Sequence, residues 1–123
     1  MAAVLIVDDN ADAADGLAML LRMAGFEVCV AYGADEAMSL AHERLPDVAL
    51  LDLGMPGRDG FELADDLKRL ASSRPIRLMA VTGYHQTEFR QQAAKRGFER
   101  FFVKPPDLAK LEEAIRSPIL ELP

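Results

Sequence analysis

Five short, almost wholly apolar runs recur along the chain, and each is followed by a longer stretch whose apolar residues return at helical spacing. The first run is Ala3 to Val7 (AVLIV), and the segment from Asp12 to Ala24 then places Leu17, Leu20, Leu21 and Ala24 at helical intervals before Gly25 stops it. Glu27 to Ala31 (EVCVA) predicts a second strand, and Ala34 to Arg44 a helix with Ala37, Met38, Leu40 and Ala41 as its apolar positions. Val48 to Leu51 is a third strand, followed by a loop with Gly54, Met55, Pro56, Gly57 and Gly60 and a helix from about Asp59 to Ala71. Ile76 to Val81, Thr87 to Arg96, Arg100 to Val103 and Asp107 to Arg116 continue the alternation to its end. Strict alternation with apolar strands requires a parallel sheet covered by helices on both faces. Five such units are too few for an eight-fold barrel, so an open, doubly wound α/β sheet remains. Ligands of such sheets bind beyond the carboxyl ends of the strands, near the point where strand order reverses.

Composition narrows the setting. At 123 residues, half hydrophobic and 28% charged, the chain is expected to form a single domain over 1–123 rather than a disordered segment. Its longest apolar runs are five to seven residues, far below a membrane span, and Asp8-Asp9 cut the first one short. The lone Cys29 cannot form an internal disulfide, and a reducing cytoplasm is the expected location. The net charge of −6 argues against direct nucleic-acid binding. It is unevenly placed: residues 1–66 hold 14 acidic and 3 basic side chains, and residues 67–123 hold 6 and 11.

Four of the five expected strands deliver a polar side chain to one edge. Strand one ends in Asp8-Asp9, strand three in Asp52, strand four in Thr82-Gly83 and strand five in Lys104-Pro105. Adjacent strands lie about 4.8 Å apart, so Asp52 approaches the acidic pair. Two unit charges at roughly 5 Å repel by about 3 kcal/mol at an effective dielectric near 20. Capping the following helix returns only about 1 kcal/mol. A hard divalent cation such as Mg²⁺, which takes carboxylate and water oxygens, resolves the conflict. The Lys104 ammonium, directly after Phe101-Phe102-Val103, can neutralise a carboxylate or hold an anion beside the metal. The Thr82 hydroxyl can hydrogen-bond such an anion, and Gly83 lets backbone approach it. Carboxylate, divalent cation, ammonium and hydroxyl together suit in-line phosphoryl transfer to a carboxylate, with no evident general base.

These residues, in this order and spacing, resemble the receiver domain of two-component response regulators over essentially the whole chain. The matching pieces are VLIVDD at 4–9, LLDLGMPGRDG at 50–60, VTG at 81–83 and FFVKP at 101–105. The resemblance implies a flavodoxin-like (βα)5 sandwich with strand order 2-1-3-4-5. It implies that Asp52 is the phosphoacceptor and that Asp8, Asp9, Asp52 and the Gly54 carbonyl hold Mg²⁺ (or Mn²⁺), Asp9 directly and Asp8 through water. Thr82 would be the switch hydroxyl, Phe101 the switch aromatic and Lys104 the counter-charge to the phosphoryl group. Gly83 and Tyr84 would flank that group, and bulky Tyr84 is expected to narrow water access and slow hydrolysis. The Lys104-Pro105 bond is often cis in relatives.

The implied partners are a histidine kinase or histidine phosphotransfer protein as phosphodonor, and a protein output partner on the fourth helix, fifth strand and fifth helix. Arg90, Lys95, Arg96 and Arg100 are expected on that surface, and homodimerisation on phosphorylation is a further expectation. The stretch VTGYHQTEFR at 81–90 is similar to the receivers of hybrid histidine kinases, from which such a domain can be cut. The domain would assist its own phosphorylation and dephosphorylation without being an enzyme in the ordinary sense. Two rivals remain open: a Mg²⁺-dependent phosphatase with an aspartate nucleophile, and a binding module indifferent to phosphorylation. Haloacid-dehalogenase-like phosphatases carry DxD after strand one, whereas here the acidic pair is adjacent and the nucleophile candidate lies on strand three. His42 and His85 lack metal-ligand spacing and are expected to be exposed, with Cys29 and the methionines at helical spacing packed in the core.

Overall fold

A computed structural model describes residues 2–55, 60–72, 74–83 and 87–117. The elements run β1 (Ala3–Val7), α1 (Ala11–Met23), β2 (Glu27–Ala31), α2 (Ala34–Glu43), β3 (Val48–Leu51), α3 (Gly60–Leu70), β4 (Arg77–Thr82), α4 (Thr87–Lys95), β5 (Phe98–Val103) and α5 (Leu108–Arg116). All five strands are parallel in the order β2-β1-β3-β4-β5, the flavodoxin-like arrangement expected. The register sets Val7 beside both Ala31 and Leu51, and Thr82 beside Val103, which levels the strand ends.

Period-two side-chain alternation divides the sheet into two packed faces. Leu5, Val7, Ala49, Leu51, Leu78 and Ala80 face α2, α3 and α4, with Ala37, Leu63 and Leu67 wholly buried against them. Val4, Ile6, Val48, Leu50, Met79 and Val81 face the other way, onto Ala18 and Leu21 of α1 and Leu111 and Ile115 of α5. Local chemistry sets the helix ends. Asn10 accepts from the Ala13 N–H to start α1, and Asp107 accepts from the Lys110 N–H to start α5. Gly25 and Gly97, at φ of 101° and 87°, follow α1 and α4 in the left-handed region that glycine tolerates. Among the described residues no helix is long and apolar enough to cross a membrane.

Three expectations need correction. Cys29 is exposed, not core, because β2 is an edge strand whose outer residues Glu27 and Cys29 are only partly covered. Met19 and Met23 are 59% and 78% exposed, and Leu20 is 45% exposed. The buried face of α1 consists of Ala14, Ala18 and Leu21, and the two methionines project from another side of the helix. Met38 of α2 is the helical methionine that packs, partly buried, against the core. Finally, β5 begins at Phe98 rather than Arg100, and its pairing with β4 is irregular: Leu78 faces Phe98 but Met79 faces Arg100. A bulge of this kind has no apolar signature in sequence.

Candidate phosphoacceptor site

The carboxyl edge of the sheet gathers the residues singled out from the sequence. β1 runs directly into Asp8, 6% exposed, and Asp9, which is exposed; β3 runs into Asp52, 8% exposed. The parallel ladder continues past the strands, with the Asp8 N–H donating to the Ala31 carbonyl and the Asp52 N–H to the Val7 carbonyl. Backbone pairing therefore places the acids next to one another. Each of Asp8, Asp9 and Asp52 offers a carboxylate oxygen, and these oxygens lie within 4.8 Å of one another. All the donors are hard oxygens, the set Mg²⁺ or Mn²⁺ takes, so the residues fit such an ion.

Asp52 is held from three directions. The Thr82 hydroxyl donates to Oδ1 at 2.9 Å, the Gly54 N–H donates to the same oxygen at 3.1 Å, and Lys104 Nζ reaches Oδ2 at 2.9 Å. Lys104 also meets Asp8 Oδ2 at 2.6 Å, and the Asn10 N–H donates to Asp8 Oδ1 at 3.0 Å. Burial is the largest single influence on the Asp52 carboxyl and pushes it up, but the bonds from Gly54, Lys104 and Thr82 together hold it below the ordinary aspartate value. For Asp8 burial prevails, with the Asp52 charge adding to it, and its carboxyl is raised. Burial pulls the Lys104 ammonium down, but Asp8 and Asp52 outweigh it and the group is raised, so it stays charged. Asp52 is thus a buried carboxylate that the surrounding donors hold in its charged form, with the Lys104 ammonium on one oxygen.

Other expected residues fall around this centre. Thr82 is fully buried at the end of β4, and Lys104 follows β5 with its N–H on the Thr82 carbonyl and a cis bond to Pro105. Phe101 is half-buried with the Arg90 guanidinium 4.7 Å above its ring. Gly83 is exposed, with nothing within 4 Å of where a Cβ would stand. Tyr84 and His85 lie outside the described residues; His42 is exposed as expected. Of the expected basic surface, Arg90, Lys95 and Arg100 are exposed, but Arg96 turns inward to Asp65 at 2.9 Å and over the Phe61 ring.

Sequence reading missed Gly60 as a site residue. A Cβ there would stand 2.5 Å from the Asp52 carbonyl oxygen and 2.9 Å from Leu53 Cα, so only glycine lets α3 start against the backbone of Asp52 and Leu53. The glycine was visible in the loop, but nothing local said what approached it. Also unforeseen is an apolar cavity of about 440 Å³ between α1 and the start of α5, lined by Ala13, Leu17, Leu20, Pro106 and Leu108 and reaching Asp8 and Lys104.

The sequence matches the family model described as the response regulator receiver domain over residues 4–116. The chain belongs to that family. It is 36% identical over 120 residues to an uncharacterized 14.6 kDa protein of Leptolyngbya boryana, covering 98% of this chain and 92% of that one. It is 32% identical over 114 residues to the transcriptional regulatory protein PrrA of Mycobacterium bovis, covering 93% of this receiver but only 48% of PrrA. The receiver thus spans about half the length of that regulator. Among solved structures, the chemotaxis protein CheY4 of Vibrio cholerae superposes with a TM-score of 0.86 at 28% identity, covering 94% of this chain and 97% of that one. A CheY-like receiver from Methanospirillum hungatei gives 0.85 at 28% identity, covering 94% and 91%. Membership supports a phosphorylation-based signalling switch.

Proposed function

We propose that Asp52 accepts a phosphoryl group from a phosphohistidine on a histidine kinase or phosphotransfer protein, and that the phosphorylated form presents an altered α4, β5 and α5 surface to an output partner. The observation that carries this reading is the Asp52 carboxylate itself, buried, ionised and gripped by Gly54, Thr82 and Lys104 within reach of two further carboxylates. In the transfer an Asp52 oxygen bonds to phosphorus as the phosphorus–nitrogen bond breaks. The electron pair returns to the ring nitrogen that held phosphorus, the imidazole leaves neutral with a proton already on its other nitrogen or taken up from water, and an acyl phosphate remains. Asp9, Asp52 and the Gly54 carbonyl would hold Mg²⁺, with Asp8 acting through water. When bound, the ion counters charge on the phosphoryl oxygens.

Lys104 already stands at Oδ2 and needs only to share its donors with a phosphoryl oxygen. The Thr82 hydroxyl rests on Asp52 from the outset, so its switch consists of exchanging a carboxylate oxygen for a phosphoryl oxygen. About two added negative charges tighten that hold, drawing the end of β4 and letting Phe101 and Arg90 repack on α4 and β5. The same residues would help reverse the step by positioning water, the modest self-dephosphorylation expected of such a domain. Acetyl phosphate or beryllofluoride with Mg²⁺, offered to wild type and Asp52→Asn, tests the reading. Stoichiometric modification at Asp52 with amide shifts on α4 supports it. Rapid turnover of small phosphate esters, or no response, overturns it in favour of a phosphatase or an inert binding module.

A further inference from the structure

The opposite end of the sheet holds a second charged cluster that phosphoryl transfer does not use. Arg77, the first residue of β4, has a side chain only 24% exposed, and its partner Glu99 on β5 is 12% exposed. The Arg77 Nε donates to the two Glu99 oxygens at 3.0 and 2.9 Å, and Nη2 donates to Oε1 at 2.6 Å. Its remaining N–H groups enter the last turn of α5. Nη1 donates to the Ile115 carbonyl at 2.8 Å, and Nη2 to those of Ala114 at 2.6 Å and Ser117 at 3.0 Å. Such carbonyls have no donors within the helix. A guanidinium, with five N–H groups in a planar fork, can serve a carboxylate and three carbonyls together, whereas an ammonium cannot.

The bulge explains how Glu99 comes to face Arg77. With Leu78 on Phe98 and Met79 on Arg100, Glu99 is the extra residue of β5, and a bulge re-aims the side chain it carries. The two strands joined by this pair are the ones that bear Thr82 and Phe101 toward their other ends. A small slide of β5 against β4 would misalign several directional hydrogen bonds at once.

We propose that Arg77 and Glu99 form a coupling latch, tying the last turn of α5 to the strand pair that carries Thr82 and Phe101, so that occupancy of the Asp52 site changes the hold on that turn. The latch rests on the reading of Asp52 as phosphoacceptor, and by linkage the coupling runs in both directions. A merely structural cap would hold α5 alike in both states. The full chain is titrated with beryllofluoride and Mg²⁺ while backbone amide shifts are followed in wild type, Glu99→Gln and Arg77→Lys.

In wild type, the amides of Ala114 to Ser117 should shift along the same titration curve as those of Asp52 and Thr82. In both variants the shifts at Asp52 and Thr82 should persist while the response of the α5 turn is lost. A wild type that shifts at Asp52 and Thr82 with a silent α5 turn overturns the latch alone, and this arm stands even where a variant fails to fold. A Glu99→Gln variant whose α5 turn responds as wild type also overturns it. Silence at Asp52 and Thr82 in wild type overturns the phosphoacceptor reading, and the latch with it.

Discussion

At the scale of single residues, the site is a balance of charges in which each group depends on its neighbours. Among the described residues Lys104 is the one ammonium shared by Asp8 and Asp52, at 2.6 and 2.9 Å. Replacing it with alanine leaves two mostly buried carboxylates facing each other. Because the lysine is about a quarter exposed, the cost should sit below that of a fully buried pair, about 1–3 kcal/mol by urea unfolding. Added Mg²⁺ should restore more stability to Lys104→Ala than to wild type, since the ion supplies the missing positive charge; equal recovery would contradict this. Asp52 gives a pH dependence of definite sign. Its folded value is lowered, so its ionised form adds stability that is complete above the ordinary aspartate value of about 3.9 and is lost as pH falls through the lower folded value. In Mg²⁺-free unfolding from about pH 6 to pH 3, wild type should therefore lose stability relative to Asp52→Asn. A constant difference between the two would contradict the bonding described for this carboxylate. Asp8, Asp52, Thr82 and Lys104 were legible because each directly follows or ends an apolar run, where a polar side chain has no packing reason to stand, and Asp9 because it doubles the charge beside Asp8. Arg77 and Glu99 were not, because their meeting depends on strand register and a bulge.

At the scale of elements, two helical glycines have opposite meanings. Gly16 lies inside α1 with open space where a Cβ would stand, so Gly16→Ala should raise stability by about 0.5–1 kcal/mol through helix propensity. Gly60 opens α3 against the Asp52 carbonyl, and Gly60→Ala should cost about 1–3 kcal/mol by overpacking and weaken beryllofluoride binding. Thermal unfolding of the two variants checks the pair of signs, and a Gly60→Ala as stable as wild type would contradict the close approach. The alternating periods placed every strand and helix to within about two residues, the usual uncertainty of an element end. What they could not give was coverage. An apolar strand such as Glu27 to Ala31 reads alike at the centre or the edge of a sheet, so the exposure of Cys29 follows only from topology. Likewise α1 carries more apolar residues than its buried face needs, and Met19, Leu20 and Met23 remain outside.

At the scale of the whole molecule, the acidic and basic halves acquire distinct places. Of the acidic half, Asp8, Asp9 and Asp52 form the oxygen cluster, while Asp47 pairs with Arg74 and Asp65 with Arg96. Of the basic half, Lys104 joins Asp8 and Asp52, Arg77 pairs with Glu99 and Arg96 with Asp65, and Arg90, Lys95 and Arg100 remain exposed. The net charge alone could not separate these tasks, because placement depends on which strand ends share an edge. Asp52 is the residue proposed to take the phosphoryl group. Phosphoramidate, whose phosphorus–nitrogen bond resembles that of phosphohistidine, is supplied with Mg²⁺, and borohydride then reduces any acyl phosphate to the alcohol. Mass spectrometry of the digested chain should find residue 52 converted to homoserine in wild type only when Mg²⁺ is present, and no conversion elsewhere. An unconverted Asp52, or conversion at another aspartate that persists in Asp52→Asn, would contradict the account.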